Sequence, residues 1–599
     1  LHRFNLFDAK NGLMSRLRSL VVYFLAPALL TLAQGLTAEA ASTQIAVPTG
    51  LLAGLHPIGT AKADEELRVV IELKPRADLD ALAAAMIDPA NPQHRQVLSA
   101  SDVAQRFGRD GRDGLALRTF LQRAGASDIF ISPDRLVGGG VMTVATASRA
   151  FGTHFIAYAG PGRTAIAPDG PLTVPLADVR DVHGTLVATT PRLADDLQRP
   201  TFTLFRGNWY TPVAFREHLD AVPSGGFNQR ITLIEDASDH FDPKDIAAFL
   251  AADGAPPGAT IAHVTEQSYA FKSPSVDCGR DDRGQEAGLD ADTALTMAPL
   301  ASIVLQYDDV CTPGNDGTLA LARALGGSDA PTEIVFPFAV GPTPGSIAAD
   351  YGPPSIPMLE AVVRGIPLVV PSGDDGAFGY RFTDLDPPGV AYPCVSTYVI
   401  CVGGTQLGDR DGVADEAAWN DGDHATGGGI STEPRPAWQD AASSFEFSPA
   451  FVKNRIVPDV SADAGGHLRI FWHGYGLGGI GGTSESASIV AAELAAINSL
   501  VPAPKRLLTA ADLYALAKLA PTAFRDVARE NDRGYIDNTL RPLRNRLPKG
   551  YRGIVPPAPK AVNGCPGVQP AGCSVRSGFD AVTGIGSLKE NAAVAALIR

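Results

Sequence analysis

Apolar and polar positions along the chain follow two different patterns. Between residues 42 and 195, short strand-like runs alternate with amphipathic helical ones. Glu66–Pro75 (ELRVVIELKP) reads as a strand closed by proline. Asp78–Ile87 reads as a helix with Leu79, Leu82 and Met86 on one face. A second helix is expected at Leu115–Ala124, strands at Ile129–Ile131 and Val141–Ala145, and a short helix Ala147–Phe151 ending at Gly152. The Gly- and Pro-rich stretch Gly160–Pro171 reads as a loop, and Thr189–Arg206 as an exposed linker. This first region is expected to be a compact α+β unit.

From Tyr210 onward, continuously apolar runs of strand length alternate with helical ones. Arg230–Glu235, Ala301–Tyr307, Glu333–Phe338, Pro367–Val370 and Tyr398–Val402 are the expected strands. Asp245–Ala251, Gly288–Ala298, Leu319–Leu325 and Met358–Arg364 are the expected helices. Strands without polar alternation are covered on both faces, so the pattern predicts an α/β fold with a mostly parallel sheet flanked by helices. Ala487–Leu500 is apolar almost all round and predicts a helix buried in the core.

Composition narrows the class. The 599 residues are 45% apolar and 19% charged, which excludes a disordered chain, a collagen or a coiled coil. The net charge of −15 argues against nucleic acid as a partner. Six Lys/Arg and no acid lie between Arg541 and Lys560, in a Pro-rich stretch that reads as an exposed loop. Near the N-terminus, Arg16 and Arg18 precede the apolar run Leu20–Ala33, and Ala38-Glu39-Ala40 follows as a small-residue cleavage pattern. Residues 1–40 are therefore read as an N-terminal extension and secretory signal peptide, with no stable membrane anchor in the mature chain. An extracellular or periplasmic location follows. All six cysteines lie after residue 270, and the shortest loops pair Cys278 with Cys311, Cys394 with Cys401 and Cys565 with Cys573.

Two loops could carry chemistry. Val370-Pro-Ser-Gly-Asp-Asp-Gly376 follows a strand, and ligands of open α/β sheets gather beyond the carboxyl ends of strands. Gly481-Gly-Thr-Ser-Glu-Ser-Ala487 opens the buried helix, with Ser484 where free N–H groups favour an oxyanion. Taken alone, Thr483 and Ser484 fit a helix cap as well as a nucleophile. No histidine stands in an HGxH context, and His473 comes only eleven residues before Ser484, which argues against a serine–histidine–aspartate triad. The chain offers instead Glu286 and Asp290, four apart on one helix face among Leu289, Ala294, Met297 and Ala298. Alone, such a spacing is ordinarily solvated surface charge; among apolar neighbours, two adjacent carboxylates can instead share a proton and titrate apart.

The combination of Glu286, Leu289 and Asp290 with Ser-Gly-Asp374 and Gly-Gly-Thr-Ser484 resembles the sedolisin, or serine-carboxyl, peptidases. The resemblance runs from about residue 65 to the C-terminus. It includes Ala150-Phe-Gly152, Val174-Pro-Leu176, Tyr210-Thr-Pro212, Val402-Gly-Gly-Thr405 and Pro458-Asp-Val-Ser-Ala-Asp463. It implies a ferredoxin-like pro-domain with its activation linker over 41–200 and a subtilisin-like catalytic domain over 201–599. It implies a secreted proenzyme that processes itself, inhibited by its own pro-domain and acting as a monomer on protein or peptide substrates. Ser484 would be the nucleophile, Glu286 the general base and acid, Asp290 its proton-sharing partner and Asp374 the oxyanion donor. A carboxylate base and a protonated aspartic donor both point to an acidic optimum. Phe524-Arg-Asp-Val527 and Ser577–Ser587 resemble the family's calcium elements, which implies one structural Ca²⁺ on Asp526, Val527, Arg576, Gly578 and Asp580. Three positions depart from the family pattern: Ser488 replaces proline, Phe336–Gly341 replaces Ser-Trp/Tyr-Gly, and Asp375 replaces serine beside Asp374. A neutral subtilisin-type peptidase and a silent secreted pseudoenzyme that binds peptides are the competing readings.

Overall fold

The computed structural model describes residues 42–189, 210–528 and 575–599, apart from internal stretches of which 270–284, 309–316, 343–350 and 380–388 are the longest. The signal-peptide, linker and basic-loop readings, and Cys278, Cys311, Cys565 and Cys573, lie outside the described residues.

In the N-terminal part the elements are β1 (Glu66–Leu73), α1 (Leu79–Met86), α2 (Gly111–Arg123), β2 (Ser127–Ile131), β3 (Val137–Thr143), α3 (Val144–Phe151) and β4 (Val179–His183). Helix α1 starts where Asp78 accepts the Ala81 amide, and α3 ends on left-handed Gly152. The strands pair antiparallel in the order β2-β3-β1-β4, the split βαβ order of a ferredoxin-like sheet. Strand β3 begins at Val137 rather than Val141, because Val-Gly-Gly-Gly-Val carries almost no strand signal of its own. Those glycines are dictated by close approach. A Cβ on Gly139 would sit 2.7 Å from the Val69 carbonyl oxygen, and one on Gly138 would sit 2.5 Å from Ile131 Cδ1.

The stretch 160–171, expected as a loop, is instead largely strand. Arg163–Pro168 pairs antiparallel with Phe155–Gly160 on one side and with Val187–Thr189 on the other. Ala165, Ile166 and Ala167 are buried there. Pairing from both neighbours overrides the weak propensity of a short, small-residue segment.

The C-terminal part contains β5 (Arg230–Asp236), β6 (Val264–Ser268), α4 (Gln285–Met297), β7 (Ser302–Asp308), α5 (Thr318–Gly326) and β8 (Glu333–Val335). It continues with α6 (Ile356–Val363), β9 (Leu368–Pro371), β10 (Ile400–Arg410), β11 (Val460–Asp463) and α7 (Thr483–Leu500). Strands run parallel in the order β6-β7-β5-β8-β9-β10-β11. Both faces are covered: Leu233, Val369 and Val402 pack with Leu295 of α4 and Val490 of α7, while Ile234, Leu368 and Val370 pack with Leu321 of α5 and Met358 of α6. This is the α/β sheet that the uninterrupted apolar strands predicted. Cys394 and Cys401 form a disulfide, as the short-loop pairing expected. Among the described residues, no helix is long and apolar enough to cross a membrane.

The two parts share a core. Val70, Leu79, Leu82 and Met86 pack with Leu319, Ile356, Leu359 and Val363. Helix α6 has no cap from its own Ser355; the Ile356 amide donates to Glu72 of β1 instead (2.7 Å), and Arg180 holds the other Glu72 oxygen (3.1 Å). Arg95 donates to Asp512 (2.9 Å), and His94 lies 3.4 Å from the same carboxylate. Burial alone would raise Asp512, but the His94 hydrogen bond and the Arg95 charge hold it below the usual range; His94 is raised by that same bond. The His94–Asp512 contact therefore weakens as pH rises through the raised His94 value, and also as pH falls through the depressed Asp512 value. It is strongest in mild acid.

Several buried carboxyls carry a larger pH dependence. Burial raises Glu333 to about 8, Glu590 to about 8 and Glu360 to about 7, despite hydrogen bonds from Thr332 to Glu333, from the Val222 amide to Glu590 and from Arg364 to Glu360. Raised carboxyls favour the fold fully below about pH 4.5, and that contribution is lost as pH climbs toward the folded value, at about 1.4 kcal/mol per unit for each group. The Tm of a Ser484→Ala chain should therefore fall between pH 5 and 8, and Glu333→Gln should flatten the decline. Parallel Tm–pH curves for the two proteins would contradict this account.

Candidate active site

Helix α4 lies wholly inside the protein, and every one of its residues is buried. Its two acids keep the one-turn spacing, with Glu286 5% exposed and Asp290 fully buried. Helix α7 packs along α4 and along β9, β10 and β11, so its first turn stands between the acid-bearing helix and the carboxyl ends of the strands.

The start of α7 has an unusual construction. Gly482 occupies the N-cap position, so the N-cap residue supplies no side-chain cap. The simple capping role that Thr483 or Ser484 could have filled is not used. The Thr483 hydroxyl instead donates to Asp374 Oδ1 (2.7 Å) and accepts from the Gly373 amide (3.1 Å), while the Thr483 amide also donates to Asp374 Oδ1 (2.8 Å). Strand β9 thus delivers Asp374 directly to the helix start. The other oxygen, Oδ2, remains on the side of the serine. A Cβ placed on Gly482 would meet Asp374 Oδ2 at 3.0 Å and Ser484 Oγ at 3.5 Å. Glycine here leaves free the space on which both oxygens converge.

Other close approaches lock the loop. The Ala425 amide donates to the Asp374 carbonyl (2.9 Å) and the Gly427 amide to the Gly373 carbonyl (2.7 Å), and a Cβ on Gly427 would strike the Ser372 carbonyl oxygen at 2.1 Å. Asp374 is partly accessible, and burial of its carboxyl raises its titration above the ordinary aspartate value. The Thr483 bonds and His424 oppose that rise, and Asp375 adds to it. The second acid of the Asp-Asp pair therefore acts in the direction that keeps Asp374 protonated.

Ser484 is half-buried, between buried Thr483 and buried Glu485. Its Oγ makes no hydrogen bond among the described residues. A buried His467 does pair with Asp463, Nδ1 lying 2.8 Å from Oδ1, but it is not bonded to the serine. His473 lies outside the described residues. Three neighbours of this corner carry no such assignment in the sequence pattern: Thr483 as the tie to Asp374, His424 beside that carboxyl, and Glu485. Only Glu485 left a signal, as an acid in the first turn of an otherwise apolar helix.

The residues expected to hold calcium converge in one corner. The Gly578 amide donates to Asp526 Oδ2 (2.9 Å), the Arg576 amide donates to Asp580 Oδ2 (2.8 Å), and the Thr583 hydroxyl reaches the Val527 carbonyl (3.4 Å). The donor set is two carboxylates and backbone carbonyls, all hard oxygen. Among the described residues, no group of three or more His, Cys, Asp or Glu side chains could hold a metal ion, so any site here depends on main-chain oxygens.

Residues 53–188 match the family described as the Pro-kumamolisin activation domain. The chain is 27% identical over 514 residues to sedolisin of Pseudomonas sp. (strain 101), covering 80% of this chain and 84% of that protein. It is 26% identical over 478 residues to tripeptidyl-peptidase 1 of Bos taurus, covering 74% and 81%. Among solved structures, Pseudomonas sedolisin, a serine-carboxyl proteinase complexed with pseudo-iodotyrostatin, aligns at 25% identity with a TM-score of 0.49, covering 65% of this chain and 98% of that one. With a match to the Pro-kumamolisin activation domain over residues 53–188 and relatives aligned over most of both parts, the chain is similar to the sedolisin group of serine-carboxyl peptidases.

Proposed function

We propose that this protein is a secreted, acid-acting serine-carboxyl peptidase made as an autoprocessed proenzyme, with residues 1–40 removed on export, 41–200 as pro-domain and activation linker, and 201–599 as the catalytic domain. The observation that carries the mechanism is the convergence of Asp374 Oδ2 and Ser484 Oγ on the space beside Gly482, with Oδ1 already committed to Thr483.

In this reading Glu286 takes the proton from Ser484 Oγ as the oxygen attacks the peptide carbonyl. Negative charge develops on the carbonyl oxygen, and protonated Asp374 donates a hydrogen bond to it. Glu286 then returns the proton to the leaving amine, an acyl-enzyme remains on Ser484, and water attacks with Glu286 again as base. Asp290 shares the dyad proton, so that Glu286 can be ionised while its neighbour is neutral. The sign of the pH dependence follows from Asp374. Its titration is raised, so the donor is present in acid and is lost as pH rises through that raised value.

The shared core, the Glu72 cap on α6 and the Arg95–Asp512 bond support a pro-domain held as an intramolecular inhibitor until the linker is cut. Asp526, Asp580 and the carbonyls of Val527, Arg576 and Gly578 fit one Ca²⁺ by donor chemistry, and the bound ion would neutralise two acids and cross-link the C-terminal turn. The all-oxygen corner supports this structural role.

Proteolysis from pH 2.5 to 8, scored by pro-segment loss and by cleavage of added peptides, tests the reading. Activity should be confined to acid and absent from Ser484→Ala; a folded chain freed of its pro-segment that cuts nothing at any pH would instead be a pseudoenzyme. Asp374→Ala should lower kcat by about 10²–10³-fold with little change in KM, and an unchanged kcat would remove Asp374 from the oxyanion site. Millimolar Ca²⁺ should raise Tm, and chelation should lower it. Asp580→Asn should abolish that difference, whereas an equal Ca²⁺ response in the variant would place the ion elsewhere.

A further inference from the structure

Immediately behind the serine lies a group for which peptide hydrolysis as described has no use. Glu485 follows Ser484 in the first turn of α7 and is completely buried. Its Oε2 accepts the Gly466 amide at 3.2 Å, and among the described residues its Oε1 has no hydrogen-bond partner.

The groups around it come from two elements. From α4, Glu286 and Asp290 act on it electrostatically; from the end of β11 and the turn after it, Asp463 does, and the Gly466 amide faces it as a donor. Asp463 is engaged elsewhere, accepting the Gly465 amide (3.1 Å), the His467 amide (3.2 Å) and His467 Nδ1 (2.8 Å). Three acids and one weak donor thus surround a fully desolvated carboxyl. An ionised carboxylate in that setting is costly, because the single Gly466 bond offsets only part of the lost hydration. Burial first, and then the Asp463, Asp290 and Glu286 charges, push Glu485 well above the ordinary glutamate range, against the Gly466 bond.

We propose that Glu485 is a positioning residue that sets the upper pH limit of catalysis: with its proton it leaves the ground behind Ser484 neutral, and without it a buried charge stands beside the oxyanion and among Glu286, Asp290 and Asp463. The inference rests on the peptidase reading above. Two consequences of ionisation act in the same direction. A negative charge one residue from the nucleophile opposes the oxyanion in a low-dielectric site. The same charge makes Glu286 and Asp290 hold their protons more tightly, which removes the base.

The distinguishing variants are Glu485→Gln, which keeps the volume and an oxygen for the Gly466 amide but cannot ionise, and Glu485→Asp, which can. Profiles of kcat/KM against pH for wild type and both variants supply the readout. Glu485→Gln should keep the acid limb and move the alkaline half-activity point upward by roughly one unit, whereas Glu485→Asp should retain a wild-type-like alkaline limit. Glu485→Ala, which also lacks the charge, should move the alkaline limb in the same direction as Glu485→Gln even if its overall activity drops. An alkaline limb left in place by both neutral variants would overturn the proposal and leave the limit to Asp374. A wild-type enzyme with no acid-dependent activity would defeat the peptidase reading instead, so the two failures are distinguishable.

Discussion

The candidate site depends on the bond between one carboxylate oxygen and one threonine. Asp374 Oδ1 receives both the amide and the hydroxyl of Thr483, and the hydroxyl in turn receives the Gly373 amide. This ties the end of a central parallel strand to the first turn of a buried helix. The tie fixes where the serine stands, because Ser484 is the next residue of that helix. It also fixes which Asp374 oxygen is left to face the serine. The surrounding glycines follow from the same constraint: at Gly427 and Gly482 the backbone or a functional oxygen occupies the space that a side chain would need.

Buried carboxyls are the second theme. Asp374, Glu333, Glu360, Glu485 and Glu590 all sit where desolvation favours the protonated form. In a protein working near neutrality each would weaken the fold. In acid they are neutral polar groups and impose little electrostatic cost. One physical effect, desolvation, thus pushes the carboxyls of the core, of Asp374 and of Glu485 in the same direction. The His94–Asp512 contact between the two parts behaves differently, because it pairs a base with an acid and holds best in mild acid.

The chain's own pattern determined a good deal. Continuous apolar runs at Arg230–Glu235 and Pro367–Val370 announced a sheet covered on both faces, because strands exposed on one face alternate. The almost wholly apolar stretch after Ser484 announced a buried helix, and the four-residue spacing of Glu286 and Asp290 placed both acids on one side of another. The short separation of Cys394 from Cys401 was enough to pair them. These are local properties, set by helical and strand periodicity and by chain length, and they need no knowledge of what packs against them.

Tertiary structure decided the rest. Arg163–Pro168 is a strand only because two neighbours pair with it, and Val137-Gly-Gly-Gly-Val141 is a strand because only glycine lets it lie against Val69 and Ile131. Whether Thr483 and Ser484 cap a helix or serve a site was undecidable from their spacing. The fold shows that Thr483 is tied to Asp374, more than a hundred residues away, a contact that spacing could not announce. Glu485 reads in sequence as an ordinary acid in a first turn, where the helix dipole welcomes it. The fold buries it among Glu286, Asp290 and Asp463, and the titration of a carboxyl depends on what surrounds it in space, which residue order does not specify.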